Sequence, residues 1–290
     1  MLDDMVEYEL PMFQVSDPKV NSTLRLLDFS LHSILQAYGR AFLFHAVLRH
    51  PLRTLRGLWT YRQVFETDQP ETRPLFRGTE DAFVRRAALA GERLLVGTGF
   101  CQKPLRVTQS DERQGIKVSA QECPAGRFNH DCLYLLQLNL NLPSDAPFHP
   151  TCTDCSVRIL GHAALQAGAS FAVLTSAMDI AHDILFPALE KQRFTCILFA
   201  ICPYSVEPMS LALLISGLEG YLFRYHSGSC VSYQQWLRAD RGDKPERTVL
   251  SQPSMVHLLH LLKSIAAFRA SSFSVNPTHY KQVGHIFCPC

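Results

Sequence analysis

The sequence has no apolar run long enough to cross a membrane, and it begins with acidic residues where an export signal is basic and then apolar. The longest apolar stretches are Phe194–Cys202, which is too short, and Pro208–Phe223, which contains Glu219. A net charge of +2 gives no case for a nucleic acid partner. Charged residues make up 19% of the chain and hydrophobic residues 47%, which excludes a largely disordered protein. We therefore expect a folded cytoplasmic protein that binds no nucleic acid.

Motifs of several enzyme classes are also missing. Gly97-x-Gly99 is followed by Gln102 where a dinucleotide-binding loop needs glycine or alanine. The sequence contains no phosphate-binding Walker loop and no Gly-x-Ser-x-Gly elbow of a serine hydrolase. It has one Cys-x-x-Cys motif, whereas a zinc ribbon needs two close pairs. Nucleotide-dependent and serine hydrolase chemistry are therefore without support.

Cysteine, in contrast, is plentiful, with ten residues. In a chain without an export signal, disulfides are not the expected explanation. A chain of 290 residues is also long enough to bury a core without cross-links. Metal ligation, redox chemistry and simple burial remain as explanations.

Hydrophobic periodicity predicts a helical N-terminal region, residues 1–90, and a cysteine-rich α/β domain, residues 91–290. The α/β part is expected to contain a mainly parallel sheet with flanking helices, because apolar strands alternate with helical segments. The N-terminal helices are predicted from a cap at Asn21–Thr23 to His50, over Leu52–Phe65 and over Glu80–Ala90. The later strands are predicted at Leu94–Val96, Leu133–Leu142, Phe171–Thr175 and Thr195–Ile201. The later helices are predicted at Cys155–Gln166, Met178–Lys191, Pro208–Tyr225 and Met255–Phe268. Gly168 is expected to end the helix Cys155–Gln166, and an irregular tail is expected after the last helix.

The Cys-x-x-Cys motif is Cys152-Thr153-Asp154-Cys155, directly before a predicted helix. Two intervening residues let both sulfurs approach one metal from a tight turn. Amide dipoles at a helix start lower a thiol pKa and favour the thiolate. The motif therefore predicts metal ligands, with a redox dithiol and inert burial as alternatives.

A second dense segment runs from Cys123 to Cys132 and contains two thiols and the imidazole of His130. Proline and glycine prevent regular structure there, and irregular backbone frees amides to bond the sulfurs of a cluster. We expect Cys123 and Cys132 to be ligands, Arg127 to offset thiolate charge and His130 to assist. The alternative is a surface turn whose cysteines pack inward.

Three single cysteines are expected at the rim of the sheet. Cys202 ends an apolar strand, Cys101 follows Gly97-Thr98-Gly99, and Cys230 follows a predicted helix through a glycine turn. Ligands of open α/β sheets bind at the carboxyl ends of strands, and a Cys-Pro pair such as Cys202-Pro203 is common at iron–sulfur ligands. We expect this edge to gather Cys101, Cys202 and the Cys152/Cys155 loop, although burial is an alternative for each cysteine.

The remaining cysteines are assigned no ligand role. Cys196 lies inside the strand Thr195–Ile201 and is expected in the core. Cys288 and Cys290 form a terminal Cys-Pro-Cys, for which a frayed tail is expected.

The order of single cysteines, then Cys152-x-x-Cys155, then an apolar strand ending at Cys202 resembles a family of uncharacterised prokaryotic proteins. That family is a domain of unknown function with about seven recurring cysteines, and the resemblance covers Cys101–Cys230. It implies an iron–sulfur protein without an assigned activity.

The segment of residues 38–65 is basic and amphipathic. No acidic residue occurs between Phe29 and Phe65, and Arg49, Arg53 and Arg56 lie beside an apolar face. Such a helix can lie on anionic lipid, so peripheral membrane contact is one expectation. The alternative is a helix whose apolar face covers the core and whose arginines face water.

The sequence therefore predicts an iron–sulfur protein, with a [4Fe–4S] cluster as the favoured cofactor. We expect it to transfer electrons, or to assist the maturation of another enzyme, with a redox or client protein as partner. One alternative is a zinc-stabilised interaction module, and another is a metal-free thiol oxidoreductase using Cys152 and Cys155. A structural cysteine-rich scaffold is the third.

Overall fold

The computed structural model describes residues 36–64, 71–105, 108–111, 116–119, 122–142, 149–273 and 276–290. The predicted cap at Asn21–Thr23 and the apolar positions up to residue 35 lie outside these ranges. The described chain is a mixed sheet with helices on both faces, which confirms the predicted α/β class.

Ten short strands are described, and three strands at the centre of the main sheet are almost wholly buried. The ten strands are β1 Thr72–Pro74, β2 Leu94–Gly99, β3 Thr108–Asp111, β4 Ile116–Ser119, β5 Ser170–Leu174, β6 Cys196–Ile201, β7 Glu219–Ser227, β8 Val249–Leu250, β9 Tyr280–Val283 and β10 Ile286–Pro289.

The main sheet has the order β1-β7-β6-β2-β5-β10-β9, with β8 paired to β7. Its four central strands, β7, β6, β2 and β5, are parallel, whereas the outer pairs are antiparallel. The strands β3 and β4 form a separate hairpin. Because the central strands are parallel, their carboxyl ends meet at one edge of the sheet.

Helices cover both faces of the sheet. They are α1 Ala37–Leu43, α2 Pro51–Val64, α3 Glu80–Ala90, α4 Leu133–Gln137, α5 Ser156–Gln166, α6 Ala177–Ile180, α7 Phe186–Lys191, α8 Val206–Ile215, α9 Tyr233–Asp240 and α10 Gln252–Ser272, with π-helical turns at Phe44–Leu48 and Ala181–Leu185.

The core has two layers, one on each face of the sheet. Leu94 and Val96 of β2 pack into the layer that α3, α5 and α10 cover, whereas Leu95 packs into the layer that α7 and α8 cover. Neighbouring side chains of a strand point to opposite faces, so an apolar run without alternation is what a doubly covered strand requires. Two elements before residue 91, β1 and α3, belong to the same folded unit as the later elements, because β1 pairs with β7 and α3 packs against α10.

Several predicted elements are confirmed closely. The helix Glu80–Ala90 has the predicted bounds, with Thr79 as its cap, and the predicted helix Cys155–Gln166 begins one residue later. Gly168, predicted to end that helix, has a φ of +65°, a left-handed conformation that favours glycine. Cys196 is buried in β6, as expected.

Three predicted elements are wrong. The predicted strand Leu133–Leu142 contains the helix α4, because five residues are too few to display a helical period. The predicted helix Pro208–Tyr225 ends at Ile215, and β7 follows after a turn at Gly217, whose φ is +79°. A continuous apolar run does not reveal where one period replaces the other. The expected frayed tail is instead the hairpin of β9 and β10, with Cys288 on a strand.

The helix α2 and the π-helical turn before it expose apolar side chains together with arginines. Leu48, Leu52, Leu55 and Trp59 are each more than 60% exposed. Among the described residues, no helix combines the length and apolar composition needed to cross a membrane. Peripheral contact through residues 38–65 therefore stays a prediction.

Candidate functional site

The carboxyl edge of the parallel strands carries three cysteines, as predicted for Cys101 and Cys202. Cys101 lies in a turn directly after β2, and Cys202 follows β6. Cys230 follows β7, a strand where the sequence predicted a helix. We call these residues the three-cysteine group.

Hydrogen bonds and charges link the members of the three-cysteine group. The backbone N–H of Cys230 donates to Sγ of Cys202 over 3.4 Å. The Cys202 thiol donates to Cys230 in turn, which lowers the pKa of Cys230 and raises that of Cys202. Burial raises the pKa of Cys101, and the neighbouring Cys230 raises it further.

Two cationic side chains reach the three-cysteine group from the loop after α9 and from the Cys123–Cys132 segment. Lys244 is 7% exposed, and its ammonium bonds Oε2 of Glu246 at 2.9 Å and helps to lower the pKa of Cys230. Arg127 donates to the carbonyls of Lys244 and Glu246, and its charge lowers the pKa of Cys101. The predicted role of Arg127 in offsetting thiolate charge stays a prediction.

The end of β2 fits closely against this group. The Gly99 N–H donates to Oη of Tyr225 at 2.7 Å, and that hydroxyl donates to the Ala200 carbonyl at 2.8 Å. A Cβ on Gly99 would lie 2.9 Å from Sγ of Cys101 and 3.1 Å from Oη of Tyr225. Glycine is needed here because the sulfur and the hydroxyl occupy the space of a side chain. Thr248 also holds Cys101, with its Oγ1 donating to Sγ at 3.0 Å.

The other four candidate cysteines come from loops. Cys123 follows the hairpin of β3 and β4, Cys132 caps α4, and Cys152 and Cys155 lie in the turn that leads into α5. Charges on these thiols act on one another: Cys155 and Cys123 each raise the pKa of both Cys132 and Cys152. We call them the four-cysteine group. The Cys152/Cys155 loop thus associates with Cys123 and Cys132.

Burial controls the protonation of the four-cysteine group in the metal-free chain. It raises the pKa of Cys132 to about 12 and that of Cys152 to about 11, and it raises the pKa of Cys155. The N–H groups of Val157 and Arg158 at the start of α5 bond Cys155 and lower its pKa, as predicted for a helix start, but burial outweighs them. The low-pKa thiol that a Cys152/Cys155 oxidoreductase needs is therefore not found at this pair.

A buried lysine stands beside the four-cysteine group. Lys103 is 1% exposed, and its ammonium donates to Oδ1 and the carbonyl of Asn129, at 2.6 and 2.9 Å, and to the carbonyl of Gly126 at 3.2 Å. These hydrogen-bond acceptors are uncharged. Burial lowers the pKa of Lys103, and negative charge on Cys123, Cys132 or Cys155, or on Asp131, would raise it. A buried cation needs nearby negative charge, which thiolates of a metal centre would supply.

Two arginines connect the two groups. Arg127 belongs to the Cys123–Cys132 segment and reaches the loop beside Cys230. Arg247 donates to the carbonyl of Gln102, next to Cys101, and to that of Asp154, inside the Cys-x-x-Cys motif, at 3.3 and 2.8 Å. The two cysteine groups are therefore neighbours within one cationic region.

His130, predicted to assist Cys123 and Cys132, is instead held at the end of β5 by its hydrogen bonds. Its ring bonds the carbonyl of Val173 and Oγ1 of Thr175, each at 3.0 Å, and stacks on His285 with centroids 3.8 Å apart. With Asp183, these two histidines place one ligand atom each within 4.8 Å of one another. The rings are inclined by only 7°, so their in-plane lone pairs lie in two nearly parallel planes and do not converge on one ion.

The spacing of the sulfurs bears on which metal would fit. Zinc–thiolate bonds of about 2.3 Å in a tetrahedron place sulfurs about 3.8 Å apart. Among the described residues, which include all ten cysteines, no three cysteine sulfurs lie within 4.8 Å of one another. In this structure the described cysteines are therefore not arranged as a closed tetrahedral zinc site.

The donor set also fits an iron–sulfur cluster. All four members of the four-cysteine group offer thiols, and amides at helix starts face the sulfurs of Cys132 and Cys155. Two buried nitrogens near the three-cysteine group, Nε2 of Gln102 and Nε of Arg127, have no hydrogen-bond acceptor in the described part of the chain. Cluster sulfides are acceptors that such donors can bond.

Sequence reasoning missed three contributors to the site: Lys103, Lys244 and Thr248. Lys244 lies in the run of charged residues Asp240–Arg247, whose composition predicts a solvated loop. The Lys244 side chain is nevertheless buried. The only local signal for Lys103 is its position two residues after Cys101.

Comparisons with known proteins suggest no function for this chain, so a functional assignment depends on the geometry described above. No protein-family model matches the chain, and no significant match is found among curated proteins or solved structures.

Proposed function

We propose that this chain is an iron–sulfur protein in which the four-cysteine group holds a [4Fe–4S] cluster and serves in electron transfer. The observation that carries the proposal is the grouping of four thiols from two separate loops, three of which, Cys123, Cys132 and Cys155, act on the buried ammonium of Lys103. When bound, the cluster would accept one electron from a reduced partner protein and pass it to an oxidised one.

The chain's own residues would set the properties of this centre. Cys123, Cys132, Cys152 and Cys155 would supply one thiolate to each iron. Lys103 would offset the negative charge of the complex, and the amides at the starts of α4 and α5 would bond the sulfurs. Positive charge and hydrogen bonds at the sulfurs raise a reduction potential, because they stabilise the more negative, reduced state.

Complete ligation favours electron transfer over donation of the cluster to another protein. Cys132, Cys152 and Cys155 are all less than 9% exposed, so the irons they hold would be shielded from exchange. An enclosed centre with four protein ligands has no open position for a substrate. The partner we propose is therefore a redox protein that docks near this group.

The test is the visible spectrum and metal content of protein purified without oxygen. We expect a broad band near 400 nm that bleaches with dithionite, with iron matched by acid-labile sulfide. The double variant Cys152→Ser/Cys155→Ser should lose about four iron and four sulfide per chain. Cys196→Ser is the matched control, because Cys196 is equally buried but lies inside β6.

Two results would refute the proposal. Stoichiometric zinc in a colourless protein would favour the zinc-stabilised interaction module. Full iron retention in Cys152→Ser/Cys155→Ser would show that the four-cysteine group is not the binding site.

A further inference from the structure

The three-cysteine group borders a cavity of about 350 Å³. This volume lies in the range of small-molecule sites. Its lining residues include Cys101, Cys202 and Cys230, together with Tyr38 and Phe42 of α1. The three cysteines thus border a space large enough for an organic molecule.

The cavity occupies the place in the sheet where ligands of open α/β folds bind. The chain runs from β2 to β5 on one side and then crosses back to β6 on the other. The loops after β2 and β6 therefore leave toward opposite faces and open a crevice between their carboxyl ends. Cys101 and Cys202 stand on the two sides of that crevice.

The lining supplies three thiols and no further thiol or imidazole. Asp240 also lines the cavity, but its carboxylate accepts the backbone N–H of Ala177 at 2.6 Å, which caps the start of α6. Lys244 is bonded to Glu246. Among the described lining residues, an iron held by this group would therefore find three protein ligands where a tetrahedral metal takes four.

The remaining surface of the cavity specifies the ligand. Its walls are largely apolar, with Phe42, Leu174, Ile201 and Met209 among them. Lys244 also lines the cavity, and the charge of Arg127 acts on Cys101, which is another lining residue. An apolar molecule with one anionic donor matches both features, because its chain would meet the walls and its charge the cations.

We propose that Cys101, Cys202 and Cys230 hold a second iron–sulfur cluster whose fourth iron opens onto this cavity and binds the carboxylate of an otherwise apolar molecule. The proposal extends the proposed function, since it takes iron–sulfur chemistry as given, but it concerns different cysteines. The carboxylate would supply the fourth ligand, and the apolar walls would exclude water from it.

The experiment uses the full chain, purified without oxygen, with decanoate as the probe. Wild-type protein should contain about eight iron per chain, and Cys202→Ser/Cys230→Ser about four. Decanoate should change the electron paramagnetic resonance signal of the reduced wild type and of Cys152→Ser/Cys155→Ser. It should leave the signal of Cys202→Ser/Cys230→Ser unchanged. Decyltrimethylammonium, which has a similar chain and the opposite charge, should have no effect.

A cavity-filling variant keeps the proposal testable if the cysteine variants fail to fold. Ala239 lines the cavity from α9, and Ala239→Phe leaves every cysteine in place. It should retain full iron and weaken decanoate binding, followed by calorimetry, by about tenfold or more.

Three outcomes would overturn the proposal. The first is about four iron in wild type, all of it lost in Cys152→Ser/Cys155→Ser, which would leave the proposed function intact. The second is a Cys202–Cys230 disulfide in metal-free protein, which would assign the pair to thiol redox chemistry. The third is decanoate binding that is equal in wild type and Ala239→Phe.

Discussion

The two cysteine groups use the same residue type, but different parts of the fold build them. Loops that lead into helices carry the four-cysteine group, and they fold over the buried Lys103. Strand ends carry the three-cysteine group, at the edge where the parallel sheet leaves a crevice. Loops can surround a centre from several directions, whereas strand ends approach it from one side. On this difference rest our two proposals, a closed electron-transfer centre for the four-cysteine group and a centre that faces a ligand for the three-cysteine group.

The sharpest contrast is expected in the reactivity of the metal-free thiols. The Cys202 thiol and Lys244 lower the pKa of Cys230 to about 7, whereas burial raises that of Cys152 to about 11. At pH 7 about half of Cys230 and about one ten-thousandth of Cys152 is therefore thiolate. Because a thiolate of low pKa is a weaker nucleophile, we expect Cys230 to be alkylated about a hundredfold faster than Cys152.

Peptide mass analysis after timed iodoacetamide treatment measures this ratio. In denaturant, where neither environment survives, the two rates should converge. Equal rates in the folded, metal-free protein would remove the electrostatic distinction between the groups.

The next largest effect is expected from Lys103→Met. The change removes the ammonium and leaves carbonyls of Asn129 and Gly126 without their donor, which should lower the free energy of unfolding by about 2–5 kcal/mol. Iron of the four-cysteine group should also be lost faster to a chelator. Chemical denaturation and chelation kinetics measure both, with Lys281→Met, on the exposed side of β9, as control. Iron loss at the wild-type rate would contradict the charge-balancing role of Lys103.

A smaller effect is expected from Tyr225→Phe. This variant leaves the partly buried Gly99 N–H without its acceptor beside Cys101, at a cost of about 1–3 kcal/mol in the free energy of unfolding. Tyr280→Phe is a matched control, because the Tyr280 hydroxyl is also buried and donates to the carbonyls of Gly161 and Ala169. Both should lose stability, but only Tyr225→Phe should weaken decanoate binding. Equal decanoate affinity in the two variants would show that the Tyr225 hydrogen bond does not support the three-cysteine group.

The smallest effect is expected from Arg247→Ala. Arg247 joins the loops of the two groups through the carbonyls of Gln102 and Asp154, and the loss of these bonds should cost about 0.5–1.5 kcal/mol. Thermal unfolding would measure the change, with Arg241→Ala at the exposed end of α9 as control. A larger loss from Arg241→Ala would show that Arg247 does not connect the groups.

Local patterns predicted the elements of the fold better than their connections. Continuous apolar runs identified β5 and β6, and strand ends correctly placed Cys101 and Cys202 at the sheet edge. Cys230 reached the same edge by a different route from the predicted one, because β7 begins inside the predicted helix. The switch at Gly217 changes the period within an apolar stretch, and composition alone does not mark such a switch.

The division of seven cysteines into two groups was beyond local reasoning. It depends on the Cys123–Cys132 segment folding over Lys103, and on the Cys-x-x-Cys turn meeting that segment. These contacts join residues that are far apart in sequence. His130 illustrates the same limit, since its partners Val173 and Thr175 belong to the end of β5.

The most direct test of the central claim is native mass spectrometry of the anaerobic protein and its cysteine variants. It weighs intact chains together with their bound clusters. We predict two cluster-mass steps in wild type, loss of one step in Cys152→Ser/Cys155→Ser, and loss of the other in Cys202→Ser/Cys230→Ser. A mass increase that matches zinc, no increase at all, or the loss of both steps from a change in either group would contradict the account of two separate iron–sulfur centres.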